Sequence, residues 1–387
     1  MAEVEIGRGK SGRRAYGLDD VVIVPSRRTR DPEDIDISWE IDAFRLELPL
    51  MAAAKDAVVS PATAIAMGRL GGLGVLNLEG LWTRYEDPEP CLSEIASLDL
   101  DKATHRMQQL YAEPIKHQLV SARIREIKDA GVVSCASVSP QRTRALAPAI
   151  LDGELDLLVI QGTVVSAEHV SKSQDPLNLK RFIRELDLPV VVGGCASYQA
   201  ALHLMRTGAV GVLVGVGPAA GSTARGALGM GVPQATAIAD AAGARMRHLD
   251  ETGVYCHIIA DGGMERSGDL CKAIACGADA VMLDRPLAAA HEAPGRGCYW
   301  DMEAVHPSLP RGAWARGGAR ASLREILLGP AHRDTGRVNL FGALRASMAT
   351  AGYETVKEFQ SAELAVAASA DSGDLAPGRA LDMGPGR

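Results

Sequence analysis

Aromatic residues are scarce in this chain: Phe, Trp and Tyr make up 4% of its 387 residues, so Ala, Val, Leu and Ile must fill the core. Long apolar runs are absent. Uninterrupted ones, such as Leu157 to Ile160 and Val190 to Val192, have strand length and fall far short of the roughly 20 residues that cross a bilayer. Membrane partners are therefore not expected. Met1 to Arg14 scatters charges and holds no apolar h-region, so a cytoplasmic location is expected rather than secretion. None of the seven Cys sits in a C-x-x-C pair, and seven is odd; reduced thiols are expected, with neither a disulfide framework nor a zinc site. The histidines do not cluster at metal-ligand spacing, so no metal site is expected. A basic surplus is missing as well. The formal charge of −7 excludes general nucleic-acid binding, and the Arg27–Arg30 run reads as a solvated loop.

What remains is an ordinary globular composition, with 47% hydrophobic and 23% charged residues and a mean hydropathy of +0.02. Short apolar, β-branched runs alternate with longer segments of helical period. Eight strands are expected, near Leu48–Ala54, Leu73–Leu76, Val132–Val138, Leu155–Ile160, Val190–Gly193, Val210–Gly215, Cys256–Ala260 and Ala280–Leu283. Helical segments fall between them, near Pro61–Leu70, Ile115–Ala130, Pro140–Leu151, Leu177–Glu185, Ser197–Thr207, Gln234–Leu249 and Ser267–Cys276. Runs apolar on both faces are parallel strands covered by helices, and eight strand-then-helix units suit a (β/α)8 TIM barrel. A doubly wound sheet is the alternative. The recurrent Gly208-Ala209 and Gly277-Ala278 steps place a helix-ending glycine just before a strand. Asn77 to Gln118 is too long for a loop and is expected to hold an inserted helical pair, near Ser93–Leu98 and Lys102–Tyr111. One barrel domain over residues 1–366 and a disordered tail from about Ala367 to Arg387 complete the expected organisation.

In a barrel the site is built by the loops after the strands. After the sixth strand, Gly215, Gly217 and Gly221 fall within seven residues and allow close backbone approach to a ligand or ion. After the seventh come Asp261, Gly262 and Gly263. A carboxylate followed by paired glycines suits a ribose diol on the acid and a phosphate on backbone N–H groups; a turn cap is the structural alternative. After the eighth strand stand Asp284 and Arg285. Arg285 suits phosphate and Asp284 repels it.

From Tyr16 to about Leu364 the chain resembles the IMP dehydrogenase/GMP reductase family. The motifs occur in order: Leu18-Asp19-Asp20-Val21-Val22-Ile23-Val24-Pro25, Pro49 to Asp56, Gly71 to Leu76, the Gly215–Gln234 loop, Ile259 to Gly263 with Ser267-Gly268-Asp269, and Asn339 to Arg345 with Met348. The resemblance implies a TIM barrel, a homotetramer, and a purine ribonucleotide oxidised or reduced with NAD or NADPH. It also implies a monovalent cation. Nucleotide contacts then fall to Asp261, Gly262, Gly263, Arg285 and Tyr299, and the cofactor lies near Gly215, Gly217 and Gln161. The regulatory CBS pair of many members is missing, and the Asn77–Gln118 segment stands in its place.

The departures are concentrated at the chemistry. Ungapped alignment puts Ser222 where the family carries its Cys nucleophile, Ala224 at the family's Thr, and Ala220 at its phosphate-binding Ser. Ala52 and Lys55 replace a nucleotide-facing Ser and Met, Gln161-Gly162-Thr163-Val164-Val165 replaces an Asp-Thr-Ala-His-Gly loop, and Asp284-Arg285 replaces a Gly-Ser pair. No Arg-Tyr flap is recognisable in Pro310 to Pro330. A Ser hydroxyl without a base is a poor nucleophile. Cys195 is the one thiol with an address near the site, either as a stand-in nucleophile or as a small packed residue. Lys55 is either a phosphate ligand or a base of lowered pKa, or a lysine snorkelling to the surface. Three expectations follow: an altered purine-nucleotide oxidoreductase, a GMP-reductase-like reductive deaminase of a guanine-type nucleotide, or a catalytically silent nucleotide-binding or regulatory subunit.

Overall fold

The computed structural model describes residues 3–170, 177–218, 223–300, 314–333 and 335–366. Eight parallel strands close into a barrel: β1 Leu50–Ala52, β2 Leu73–Asn77, β3 Cys135–Val138, β4 Leu157–Gln161, β5 Val190–Cys195, β6 Gly211–Val214, β7 His257–Asp261 and β8 Ala280–Leu283. They neighbour one another in chain order, and β8 pairs with β1 through Met282–Met51 and Leu283–Ala52. The closed sheet decides between the two expected architectures in favour of the TIM barrel. A chain of short, doubly buried strands leaves no edge when it closes, which an open sheet of this composition would expose.

The covering helices are α1 Pro61–Arg69, α2 His117–Asp129, α3 Thr143–Asp152, α4 Leu179–Glu185, α5 Tyr198–Met205, α6 Gln234–Thr252, α7 Ser267–Ala275 and α8 Leu340–Ala351. Local chemistry starts several of them. Ser60, Asn178 and Ser197 accept backbone N–H bonds at the first turns of α1, α4 and α5, which satisfies donors that a helix start leaves unpaired. The helix-ending glycines behave as their spacing predicts: Gly208 and Gly277 have φ of 97° and 118°, in a region where a side chain is strained. The Asn77–Gln118 segment holds helices Glu89–Ser97 and Leu100–Leu110. The expected tail lies outside the described residues. Leu364–Val366 pairs antiparallel with Val21–Ile23 and so ties the two ends of the described chain together.

Strand alternation sorts the apolar residues into two cores. Met51, Leu73, Val75, Cys135, Leu157, Val159, Val191, Leu213, Ile259, Ala280 and Met282 fill the barrel, and the other strand faces pack under the helices. The N-terminal end is plugged by a hairpin, Trp39–Ile41 paired with Phe44–Leu46, whose Trp39, Ile41 and Leu46 join the inner core. Trp39 Nε1 donates to His257 Nδ1 at 3.2 Å. That bond needs an unprotonated Nδ1. Burial, assisted by Arg245 and Lys357 and opposed by Asp279, holds His257 below its ordinary 6.5.

The sign follows from linkage. A depressed histidine leaves stability intact above the unfolded pKa, and stability is lost as pH falls from there toward the folded pKa, because the unfolded chain takes up the proton first. The thermal midpoint is therefore expected to fall as the pH drops below about 6.5, with a slope of at most ~1.4 kcal/mol per pH unit from this ring. His257→Gln should flatten that slope in a pH series of melts. An unchanged slope would assign the effect elsewhere.

Candidate active site

With one end plugged, the C-terminal mouth is the open face of the barrel. Continuing the inward parity of each strand places Asn77, Ser137, Gln161 and Asp261 as a polar layer above Val75, Cys135, Val159 and Ile259. Register sets them side by side: Asn77 pairs with Ser137, Gln161 with Gly193, and Asp261 with Met282. Across the mouth, Gln161 Nε2 donates to Asp261 Oδ2 at 3.1 Å and lies 3.8 Å from Met282 Sδ, while Ser137 Oγ donates to Gln161 Oε1 at 3.4 Å. The Ser137–Gln161–Asp261 chain orients the carboxylate. Gln161 and Asp261 are half-buried, so a ligand can reach the acid.

Behind Asp261, Gly262 and Gly263 have φ of 79° and 76°, and Pro218 of the preceding loop lies against both. Gly215 is the tightest point. A Cβ there would stand 1.9 Å from the Asp261 carbonyl oxygen, and Gln234 Nε2 bonds both Val214 O and Asp261 O, at 2.7 and 3.3 Å. Gly217, with φ of 64°, turns the loop onto Met230 and Gly231. Ser222 lies outside the described residues, as do Ala220 and Gly221.

A second cluster sits where β8 and β1 meet. Asp284 caps the short helix Arg285–Ala288, its Oδ1 accepting from Arg285 N at 2.5 Å. Tyr299 OH donates to Asp284 Oδ2 at 2.7 Å, and Lys55 Nζ lies 4.0 Å from that oxygen. Lys55 and the Arg285 guanidinium stand 5.7 and 5.2 Å from the Tyr299 ring centre. Arg285 also faces Glu265 Oε1 at 3.5 Å. Lys55 is thus neither a surface lysine nor an isolated base but half of a carboxylate pair. A cavity of about 950 Å³ lies between Arg285, Tyr299, Arg320, Ile326, Arg333 and Arg337, and it shares Arg285 and Tyr299 with this cluster.

Cys195 is brought to the mouth but not presented to it. Its side chain is 1% exposed, Sγ donates to Leu213 O, and burial pushes the thiol up to about 12. A thiol in an apolar setting stays protonated, and the thiolate is the nucleophile; Cys195 is thereby removed from the catalytic candidates in favour of the packed reading. All seven Cys are buried. A thiol reagent is expected to label none of them within minutes in the native chain and all seven in denaturant; one fast-reacting thiol would restore a cysteine nucleophile.

Asn77, Ser137 and Glu265 were not singled out in the sequence. Their signal was a polar residue closing an apolar run, and an acid just beyond the paired glycines. Among the described residues no group of His, Cys, Asp and Glu is arranged to hold a metal ion, and no helix is long and apolar enough to cross a membrane.

The sequence profile of the IMP dehydrogenase / GMP reductase domain matches residues 15–308. An uncharacterized oxidoreductase of Mycolicibacterium smegmatis is 52% identical, the match covering 94% of this chain and 99% of that protein. An inosine-5′-monophosphate dehydrogenase of Methanocaldococcus jannaschii is 26% identical, over 90% of this chain and 91% of its own. The crystal structure of an IMP dehydrogenase/GMP reductase-like protein from Corynebacterium glutamicum superimposes with a TM-score of 0.89 at 49% identity, covering 94% and 97% of the two chains. With the barrel, its plugged base and the acid-and-glycine turn after β7 in place, these matches show that the chain belongs to the IMP dehydrogenase/GMP reductase family.

Proposed function

We propose that the chain is an NAD- or NADPH-dependent oxidoreductase acting on a purine-type ribonucleotide, with a substrate altered from that of an ordinary IMP dehydrogenase. The observation that carries this reading is the Asp261 carboxylate at the end of β7, oriented by Gln161 at 3.1 Å and followed by two left-handed glycines. A carboxylate accepts two hydroxyl hydrogens at once, which is what a ribose diol offers. Gly262 and Gly263 turn the chain there through left-handed conformations that a side chain would strain. Arg285 and Tyr299 border its far end, and Lys55 holds Asp284 there. By alignment, Ser222 takes the place of the family's Cys nucleophile in this reading.

The donor set of the mouth also fits a nicotinamide. Its carboxamide needs a donor and an acceptor, and the Gln161 amide and Ser137 hydroxyl supply both. When bound, the cofactor supplies hydride transfer; the chain binds, orients and excludes water. A homotetramer in the cytoplasm and a monovalent cation at the Gly215–Gly221 loop complete the proposal. A GMP-reductase-like reductive deamination of a guanine-type nucleotide would use the same residues.

A second reading, binding without turnover as a sensor or regulatory subunit, is favoured by one observation: all seven thiols are buried. Thermal melts with purine nucleotides and nucleosides, each with and without NAD or NADPH, separate the readings when every binder is then followed by near-ultraviolet absorbance of reduced cofactor. Stabilisation with a change in reduced cofactor supports the oxidoreductase. Stabilisation alone supports the silent binder, and no stabilisation by any of them overturns both.

A further inference from the structure

We infer that Asp284 makes the far end of this site specific for a free hydroxyl, so that the ligand is a purine ribonucleoside rather than its 5′-phosphate. The inference rests on the ribose reading of Asp261 above and names the alteration in substrate. Asp261 is level with Met282 on the neighbouring strand, so Asp284, two residues on and just past the end of β8, stands about 6–7 Å further up at strand rise. A ribose carries its diol and its 5′ oxygen at opposite ends. Held by the diol on Asp261, it places the 5′ oxygen toward Asp284.

The groups that would receive a phosphate there already serve carboxylates. Tyr299 OH is given to Asp284 Oδ2 at 2.7 Å, and Tyr299 is buried, so the hydroxyl is held in place. The Arg285 N–H is given to Asp284 Oδ1 at 2.5 Å. Lys55 Nζ faces Asp284 Oδ2 at 4.0 Å, and Arg285 faces Glu265 Oε1 at 3.5 Å. Lys55 and Arg285 are matched by Asp284 and Glu265, and Arg337 shares Glu265 at 3.5 Å; these groups leave at most one positive charge for a phosphate dianion, and the nearest carboxylate repels it. Like charges brought together in a half-buried site weaken binding on the order of a hundredfold. A hydroxyl meets the opposite situation. Each carboxylate oxygen has two lone pairs, and beyond the Tyr299 and Arg285 bonds the carboxylate retains capacity to accept a donor.

Isothermal titration of the full chain with inosine, guanosine, xanthosine and adenosine, each beside its 5′-monophosphate, tests this. At least one nucleoside is expected to bind, with its monophosphate weaker by about a hundredfold. In Asp284→Asn, which keeps the shape and loses the charge, the gap should close to within about tenfold. A monophosphate that binds as well as or better than its nucleoside overturns the inference and leaves the purine-ribose reading standing. Failure of all eight compounds to bind overturns both. Because the central comparison is between ligands on the unmodified chain, it holds even if the variant does not fold.

Discussion

Asp261→Ala is expected to weaken binding of any purine ribose ligand by at least a hundredfold while leaving the unliganded thermal midpoint within a few degrees of the parent. The acid is half-buried at the end of β7, and one of its bonds runs to Gln161, which is itself half-buried; water can reach both groups and replace that bond, so the fold loses little. A ligand loses far more. A hydrogen bond to a charged group contributes about 1.5–3 kcal/mol, and a diol makes two, so the expected loss is about 3–6 kcal/mol, or two to four decades in affinity. Asp261→Asn, which retains one acceptor oxygen, should fall between. Titration of both variants with the tightest ligand of the parent provides the measurement, and an alanine variant that binds normally would remove the ribose from Asp261.

Gly215→Ala should damage both fold and site. Its Cβ would sit 1.9 Å from the Asp261 carbonyl oxygen and 3.0 Å from the carbonyl carbon, and neither atom can yield. Asp261 is held in the β7–β8 ladder, and Gln234 Nε2 fixes its carbonyl from the other side at 3.3 Å. The strands must part at the mouth. Overpacking commonly costs 1–3 kcal/mol, and against backbone the upper end is expected, about 3 kcal/mol. The same displacement carries the Asp261 carboxylate away from Gln161, so ligand affinity should fall with stability. Gly226→Ala is the control: nothing lies within 4 Å of its Cβ, and it sits in the short helix Thr223–Leu228, where alanine is the better helix former by about 1 kcal/mol. Denaturant melts that found the two variants equally stable would refute the packing argument.

Together the two variants separate what Asp261 does as a ligand from what its backbone does as a wall. One removes the carboxylate and keeps the mouth; the other keeps the carboxylate and moves it. If the site works as proposed, both lose affinity, and only Gly215→Ala loses stability.

Much of this protein was legible in the chain itself. Eight apolar runs fall on eight barrel strands, Ala280–Leu283 to the residue, because burial on both faces requires continuous β-branched sequence and the turns between them require Gly, Ser and Asp. The glycines before β6 and β8 were readable for the same reason, as were Asp261, Gly262 and Gly263, which lie next to one another in sequence. The plug was not. Trp39, Ile41 and Leu46 form a run too short and too broken to announce itself, and their role exists only once the closed barrel offers an open end to fill. Cys195 had an address near the mouth, and only packing revealed that its sulfur turns into the wall rather than the opening. Lys55, Asp284 and Tyr299 are separated by hundreds of residues along the chain, or by a turn, and the sequence could name each but not their pairing. Closure of β8 onto β1 brings them together, and with them comes the charge pairing on which the proposed specificity rests. Local pattern thus determines strands, helices and turns, because those depend on neighbours in sequence. Electrostatics and packing at the mouth depend on neighbours in space, and tertiary structure alone supplies those.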